Sequence, residues 1–450
     1  MHPPTHLCIV ARAMSRPRYS RWILGVLLVG SLVSSIGCSE LDARGANRKG
    51  NRMFREGKFA DAAALYETAI KVVKDEKVEY NIGLAYSKLF RAGADDLVLL
   101  AEKSESVCTL IPGVETTSRT VCVKNDPAEE DRTYVKCTQD PKDVTCGSSG
   151  TCQKIDLCAI KNEKLVELSA SHLDLWIEKQ PPDEELKAKS AEVGKEIDKV
   201  EKQIAEAEAE IEKQVDATTG AVKDKAAWNE ATQRKANADE RVKALRDDRD
   251  EVELKFKMRE LMTQLWLDSQ NFKAALGYWS KRLDAKPTDV DAMGILAGIN
   301  LKAGEWRKAI EWYVKVADAS ADTLNKIQAY GFIGNVAWSK LNSKTLPPDE
   351  ALDLADLGVG ALQKAAALAP KNTRFISLQA SLMNFRALTH GASWASAIDR
   401  ASSQDLKGLM DVVSGKAPAK PPVEQTPAPG TKPQTPGTGS GSQTKKPSNG

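Results

Sequence analysis

Catalytic machinery is the first thing this 450-residue sequence lacks. It has no G-x-S-x-G nucleophile turn, no Walker or G-x-G-x-x-G phosphate cradle and no H-E-x-x-H pair, the patterns by which hydrolases, nucleotide enzymes and zinc proteases place their reacting groups. Histidine numbers only four, and just His172 and His390 lie beyond the first dozen residues. His172 sits in the amphipathic run SHLDLW and His390 precedes Gly391 at an expected helix end, so both read as structural. Nor does one charge sign dominate. Lys and Arg total 64 against 62 Asp and Glu, a net +2 that excludes an acidic disordered chain and a nucleic-acid binder held by a basic field. No cofactor is expected, and the chain reads as a non-enzyme.

Long apolar runs are also missing. The longest, Trp22 to Val33, is too short to span a bilayer as a stable helix. Its setting gives it another meaning. Arg16, Arg18 and Arg21 precede it, Gly37 and Cys38 follow, and Ser39-Glu40 then turns polar, which is the layout of a bacterial lipoprotein signal. Ser35 departs from the usual Leu of such sites, while Ile36-Gly37-Cys38 fits. The signal is expected to cover 1–37, starting at Met1 or at Met14, where the basic cluster begins. Cleavage would leave Cys38 as an acylated N-terminus, and three chains at about 0.8 kcal/mol per buried methylene hold far more tightly than one. Ser39 in place of Asp points to the periplasmic face of the outer membrane. The rival reading is an ordinary cleaved signal or a short anchor with an incidental cysteine.

Cysteine is absent after residue 158. Cys108, Cys122, Cys137, Cys146, Cys152 and Cys158 all fall in the segment 108–158, which has one aromatic, Tyr134, and few large aliphatics. An even, clustered set in a segment too poor in apolar residues to build a core predicts disulfides, with fifteen connectivities open. Zinc is the weaker alternative, since there is no C-x2-C knuckle and no nearby histidine, and no metal site is expected. The acidic residues Asp126, Glu129, Glu130 and Asp131 lack the alternation and central Gly of a calcium loop and read as a solvated segment.

What is abundant is helical periodicity. Phe272, Ala275 and Trp279 recur 34 residues later as Trp306, Ala309 and Tyr313, with Gly304 at the intervening turn and Pro287 between. Small Ala lets paired helices approach, aromatics fill the space between successive pairs, and Gly permits the tight turn. Gly50, Gly57, Phe59, Ala62, Tyr66 and Ala69 open the same pattern nearer the N-terminus, and Asn81-Ile82-Gly83 to Tyr86 begins another repeat. A degenerate repeat runs through Ile333-Gly334-Asn335 to Ala361–Pro370, followed by a last helical pair from Phe375 to about Val413. These motifs resemble the tetratricopeptide repeat (TPR) family.

Between the repeats the period changes. Leu186, Val193, Ile197, Val200, Ile204, Ala207 and Ile211 alternate at three and four, as do Trp228, Ala231, Ala238, Val242, Leu245, Val252 and Phe256 after a break at 217–220. Mirrored lengths predict an antiparallel hairpin with arms of roughly 30 residues, or about 45 Å, over a parallel pairing with a second subunit. From Gly415 onward Pro, Thr, Gly and Lys dominate, the composition of a disordered tail.

The expected fold is therefore all-α: a TPR-type helical solenoid with a projecting antiparallel coiled-coil hairpin and a small disulfide-stapled insert. Its segments are the signal (1–37), an N-terminal TPR segment (38–107), the cysteine insert (108–158), a connecting helix (159–182), the hairpin (183–259), a central and C-terminal array (260–414) and the tail (415–450). TPR geometry implies a concave groove for a peptide, and repeat phase places Asn51, Arg55, Gln264, Asp268, Lys302, Asn335 and Trp338 near it. A Lys/Asn clamp for a C-terminal carboxylate is not reproduced within one repeat pair. The leader, GNRMFREGKFADAAALYETAI and the central repeats together resemble the TPR lipoproteins of myxobacterial gliding motility. That resemblance implies an outer-membrane scaffold binding other envelope proteins in a trans-envelope motility complex, with acyl chains in the membrane and no nucleic acid. The alternatives are an assembly factor for a secretin or outer-membrane barrel, and a cell-wall enzyme or its regulator.

Overall fold

Polar caps and glycine turns divide the chain into its elements. In the computed structural model, Asp75, Asp224, Asp322, Asn372 and Ser393 each accept a backbone N–H at a helix start, satisfying donors the first turn leaves unpaired. Gly57 and Gly304 close interhelical turns at φ +81° and +84°, a region in which a Cβ would be strained. The structure describes residues 23–93, 97–102, 106–124, 137–138, 146 and 150–416, with the backbone alone for 23–38, 102, 123–124 and 150. Among the described residues there are fourteen helices and one three-stranded sheet. The signal's first residues, the acidic run and the tail beyond 416 lie outside them, as does the side chain of Cys38, whose backbone lies in the first helix. Among the described residues no helix is long and apolar enough to cross a membrane.

The chain forms two compact units, one of Met1–Asp284 with Lys302–Gly304, the other of Ala285–Leu301 with Glu305–Gly450. The first begins with α1 (Ile23–Arg55), α2 (Phe59–Ile70) and α3 (Glu76–Leu89). Strand β1 (Leu97–Glu102), the short α4 (Val107–Leu110), β2 (Glu115–Lys124) and β3 (Gly150–Lys161) follow, and the sheet order is β1-β3-β2, antiparallel throughout. α5 (Asn162–Glu178) then returns to pack on α3, and the Ser169 hydroxyl donates to the Gly83 carbonyl at 2.8 Å.

The described residues are mostly helical, as expected, and this small sheet is the element the expectation did not contain. The connecting helix expected from 159 begins only at Asn162, because Ala159, Ile160 and Lys161 are the rungs that pair with Leu99, Val98 and Leu97. Nor does the insert rely on covalent staples alone. Val98, Ala101, Val107, Ile111, Cys158 and Ile160 share a core with Ala62, Tyr66, Ile82, Tyr86 and Leu165. Much of that apolar surface lies just outside 108–158, and for this reason counting within the segment hid it.

The unit continues with α6 (Asp183–Gln214) and α7 (Lys225–Asp268), which run antiparallel, and with α8 (Phe272–Ala285). Glu210 pairs across to Arg234, Glu201 to Arg246 and Ser190 to Glu253, so along these three pairs partner numbers rise on one helix as they fall on the other, and Glu196 reaches Arg241 between them. Leu186, Ile197, Val200 and Ala207 are buried on α6, as are Ala231, Val242 and Val252 on α7. At the turn, the Asp216 carboxylate accepts the backbone N–H groups of Thr218 and Thr219, which lowers its pKa. At the other end Asp183 is buried against Lys255 (3.0 Å), Arg259 (2.6 Å) and Arg282. Burial pushes its carboxyl up, but the hydrogen bonds from these cations outweigh burial and hold it well below the usual range. The expected boundary at 259–260 falls inside α7, whose buried positions continue through Met262, Leu265 and Trp266.

The second unit is helical in its described residues: α9 (Val290–Lys302), α10 (Trp306–Ala319), α11 (Thr323–Asn342), α12 (Pro348–Leu368), α13 (Thr373–Thr389) and α14 (Trp394–Val413). Its core runs from Ala297, Ala309 and Tyr313 through Ile333, Ala337 and Leu362 to Leu382. Successive helices from α10 to α14 pack in chain order. The 34-residue phase holds in burial: Ala275 and Ala309 are fully buried and Trp279 and Tyr313 nearly so, although the first of each pair belongs to one unit and the second to the other.

Candidate functional site

The second unit carries an open groove of about 390 Å³ between α9, α10 and α11. α9 supplies Val290, Asp291, Gly294 and Ile295; α10 supplies Tyr313 and Val316; α11 supplies Asn325, Gln328, Ala329 and Phe332. Spacings of three and four residues put each set on one helix face. At Gly294 an added Cβ would meet nothing within 4 Å, so the wall of α9 is recessed there. Opposite, Phe332 stacks on Tyr313 with ring centroids 5.0 Å apart, yet remains 47% exposed while Tyr313 is buried. Burial raises the Tyr313 pKa and keeps its phenol neutral. The result is an apolar trough with two amides and one carboxylate on its lining. Such a lining suits a segment of polypeptide, with an apolar side chain against Phe332 and peptide groups within reach of Asn325 and Gln328.

None of the seven residues placed by repeat phase lines this trough. Asn335 and Trp338 come nearest, one and two turns beyond Phe332 on α11; Asn335 accepts from Arg374 at 3.2 Å and Trp338 is partly exposed. Lys302 ends α9. Gln264 and Asp268 bond each other at 2.5 Å on the exposed side of α7. Asn51 and Arg55 are on the last turns of α1, where the Asn51 side-chain oxygen accepts from Tyr66 (2.8 Å) and Asn81 (3.2 Å). The seven are distributed over α1, α7, α9 and α11. The residues that were missed carried a readable signal: Val290, Asp291, Gly294 and Ile295 repeat at helical spacing in the stretch between the two matched repeats. Of the aligned aromatic positions Trp306 and Tyr313, only Tyr313 lines the trough.

The cysteines pair as Cys108–Cys158, Cys122–Cys146 and Cys137–Cys152. The Sγ atoms of Cys122, Cys137 and Cys146 lie within 4.8 Å of one another, close enough for a metal if reduced. As disulfides they offer no thiolate, the form that ligates zinc.

His172 lies on α5 between two carboxylates, with Nδ1 2.5 Å from Glu79 and Nε2 3.5 Å from Glu67, and Glu67 also accepts from the Tyr86 hydroxyl at 2.7 Å. Burial alone would lower the imidazole pKa, but hydrogen bonds to and the charges of Glu67 and Glu79 outweigh it and raise the pKa above 6.5. Glu67, pushed up by burial, is brought lower overall by His172 and Tyr86. The cluster ties α5 to α2 and α3. Its groups are saturated by one another, an arrangement for holding helices together. His390 faces Asp399 at 3.7 Å, so its side chain meets a carboxylate in place of the helix-end carbonyls expected for it. No protein-family profile matches this chain, and no curated protein matches it in sequence.

Proposed function

We propose that this protein is a lipid-anchored scaffold on the periplasmic face of the outer membrane that binds other envelope proteins through TPR-type surfaces. In this reading the helix pairs of each unit are TPR-type repeats and α6–α7 is a projecting antiparallel coiled-coil hairpin. The observation that carries the reading is the trough between α9, α10 and α11, whose apolar floor, paired amides and exposed Phe332 suit a protein segment. The lipoprotein-like leader supports the anchor, and the three disulfides are compatible with an oxidising compartment. A structural role in a trans-envelope gliding-motility complex follows from the family resemblance. An anchor combined with separate docking surfaces raises the effective concentration of each partner at the membrane.

The test is affinity purification of the tagged protein from crosslinked envelopes, with subunits and stoichiometry read by mass spectrometry. Stable, stoichiometric recovery of motility subunits is expected, and Phe332→Ala should cut recovery of the groove-bound subunit about tenfold, the scale of losing one aromatic anchor. Cys38→Ala should move the protein out of the membrane fraction, and full sedimentation with membranes would contradict the anchor. Transient, substoichiometric recovery of one secretin or barrel protein would replace the scaffold with the assembly factor.

A further inference from the structure

Helix α14 meets its array through buried polar groups as well as Leu406, which packs on the core, and turns an apolar stripe outward. Its inward side is Ser396, Asp399 and Ser403, all buried: Ser396 donates to the Ala387 carbonyl (2.8 Å), Ser403 to the Ala380 carbonyl (2.9 Å), and Asp399 accepts from Arg386 Nε (3.0 Å) and Nη2. Its outward side carries Trp394, Ile398, Leu409 and Val412, exposed by 79%, 53%, 48% and 61%. At 100° per residue these four fall on one stripe over five turns, together with Ala397, Ala401 and Gly408, and Asp405 is the only charge among them. Terminal helices of soluble arrays keep a polar outer face, and an exposed apolar stripe of this length marks an interface. The chain's own tail does not suit it: residues 417–450 contain Val423 and no Leu, Ile, Met or aromatic residue.

We propose that the stripe is covered by the same helix of a second copy, the two running antiparallel about a two-fold axis at Ser403. The stripe is complementary to itself in that register and in no parallel one. Trp394 meets Val412 of the second copy, Ile398 meets Gly408, and Leu409 meets Ala397, so each large side chain faces a smaller one. Asp405 meets Ala401 of the second copy beside its Arg400, an opposite charge, whereas parallel pairing would set Asp405 against Asp405. The antiparallel arrangement also opposes the two helix dipoles. Polar bonds and Leu406 fasten α14 to its own unit while the outward stripe is left for the second copy.

Sedimentation of the full chain carrying Cys38→Ala, so that no acyl group drives association, tests this over about 1 to 100 µM, the range in which a single helix-pair interface is detected. A dimer is expected. Ile398→Asp with Leu409→Asp alters exposed positions only, should keep the far-ultraviolet circular dichroism of the parent, and should weaken dimerisation at least about tenfold. Mixing Ala397→Cys chains with Leu409→Cys chains under mild oxidation should give a crosslinked pair that neither variant gives alone, because only the antiparallel register brings these positions together. A monomer throughout the range, a dimer indifferent to the two aspartates, or crosslinking as strong within one variant as between the two would overturn the proposal. So would a stripe that captures a different envelope protein while the chain stays monomeric.

Discussion

The two units solve the same packing problem by different means. In the first, helices share a core with a small sheet, three disulfides join that sheet to its loops and to α4, and two charge clusters, around His172 and around Asp183, lie inside. The second has no cysteine and is held mainly by Ala, Leu and aromatic packing through consecutive helices, with a buried ion pair, Arg386–Asp399, at its last helix. Buried ions and disulfides fix one arrangement and resist opening. A core of alternating small and large apolar residues can extend along an array and leave grooves between helices. Under the proposed function, the contrast would make the first unit the tethered part and the second the one that presents surfaces for recognition.

Reduction should break the comparison most sharply. The Cys108–Cys158 bridge spans a sequence separation of 50 residues, and chain-entropy reasoning gives about 4 kcal/mol for a loop of that size. Dithiothreitol, or Cys108→Ser with Cys158→Ser, is expected to lower the melting of the first unit and leave the second unchanged. A single transition shifting as a whole would mean the units are not energetically separate. The converse probe is Leu362→Ala. Leu362 is fully buried, packed where a Cβ on Gly334 would lie 2.5 Å from its Cδ2, so truncation should cost the second unit about 3 kcal/mol and spare the first. Calorimetry resolves both.

How far the sequence foretold this contrast depends on the range of each signal. Local and periodic features were legible: α6 and α7 and the equal burial of Ala275 and Ala309 follow from spacing within a window, and the clustered cysteines announced disulfides though not which of the fifteen pairings they adopt. The sheet was not, because Leu97–Leu99 pairs with Ala159–Lys161 across some sixty residues of chain, and neither stretch alternates cleanly enough to announce a strand. The trough was missed for a related reason. Repeat phase identifies which helix face turns inward but not which turn of it is left uncovered, and the recess at Gly294 is created by what its neighbours do not fill. The clusters at His172 and Asp183 join residues far apart in sequence, beyond any motif.

A smaller effect sharpens the comparison through pH. The folded pKa of His172 is raised, so its contribution is full below about 6.5 and is lost as pH rises through the folded value. Glu67, held below 4.5, acts in the opposite sense: its contribution is present above that value and is lost as pH falls through the folded one. The first unit should therefore melt at a lower temperature at about pH 9 than at about pH 6. His172→Gln should flatten that dependence and, by removing a charge-assisted buried hydrogen bond, cost about 2 kcal/mol at the lower pH. The second unit should show neither change, and a pH slope that survives His172→Gln would assign the effect elsewhere.

Under the proposed function, partner proteins are recognised in the trough of the second unit. The most direct measurement places a photo-crosslinking amino acid at Gln328 in living cells, with Lys202 on the exposed side of α6 as the control. A discrete crosslinked envelope protein is expected from Gln328, abolished by Phe332→Ala, with none of that species from Lys202. The absence of any crosslink at Gln328, or the same product from both positions, would contradict it.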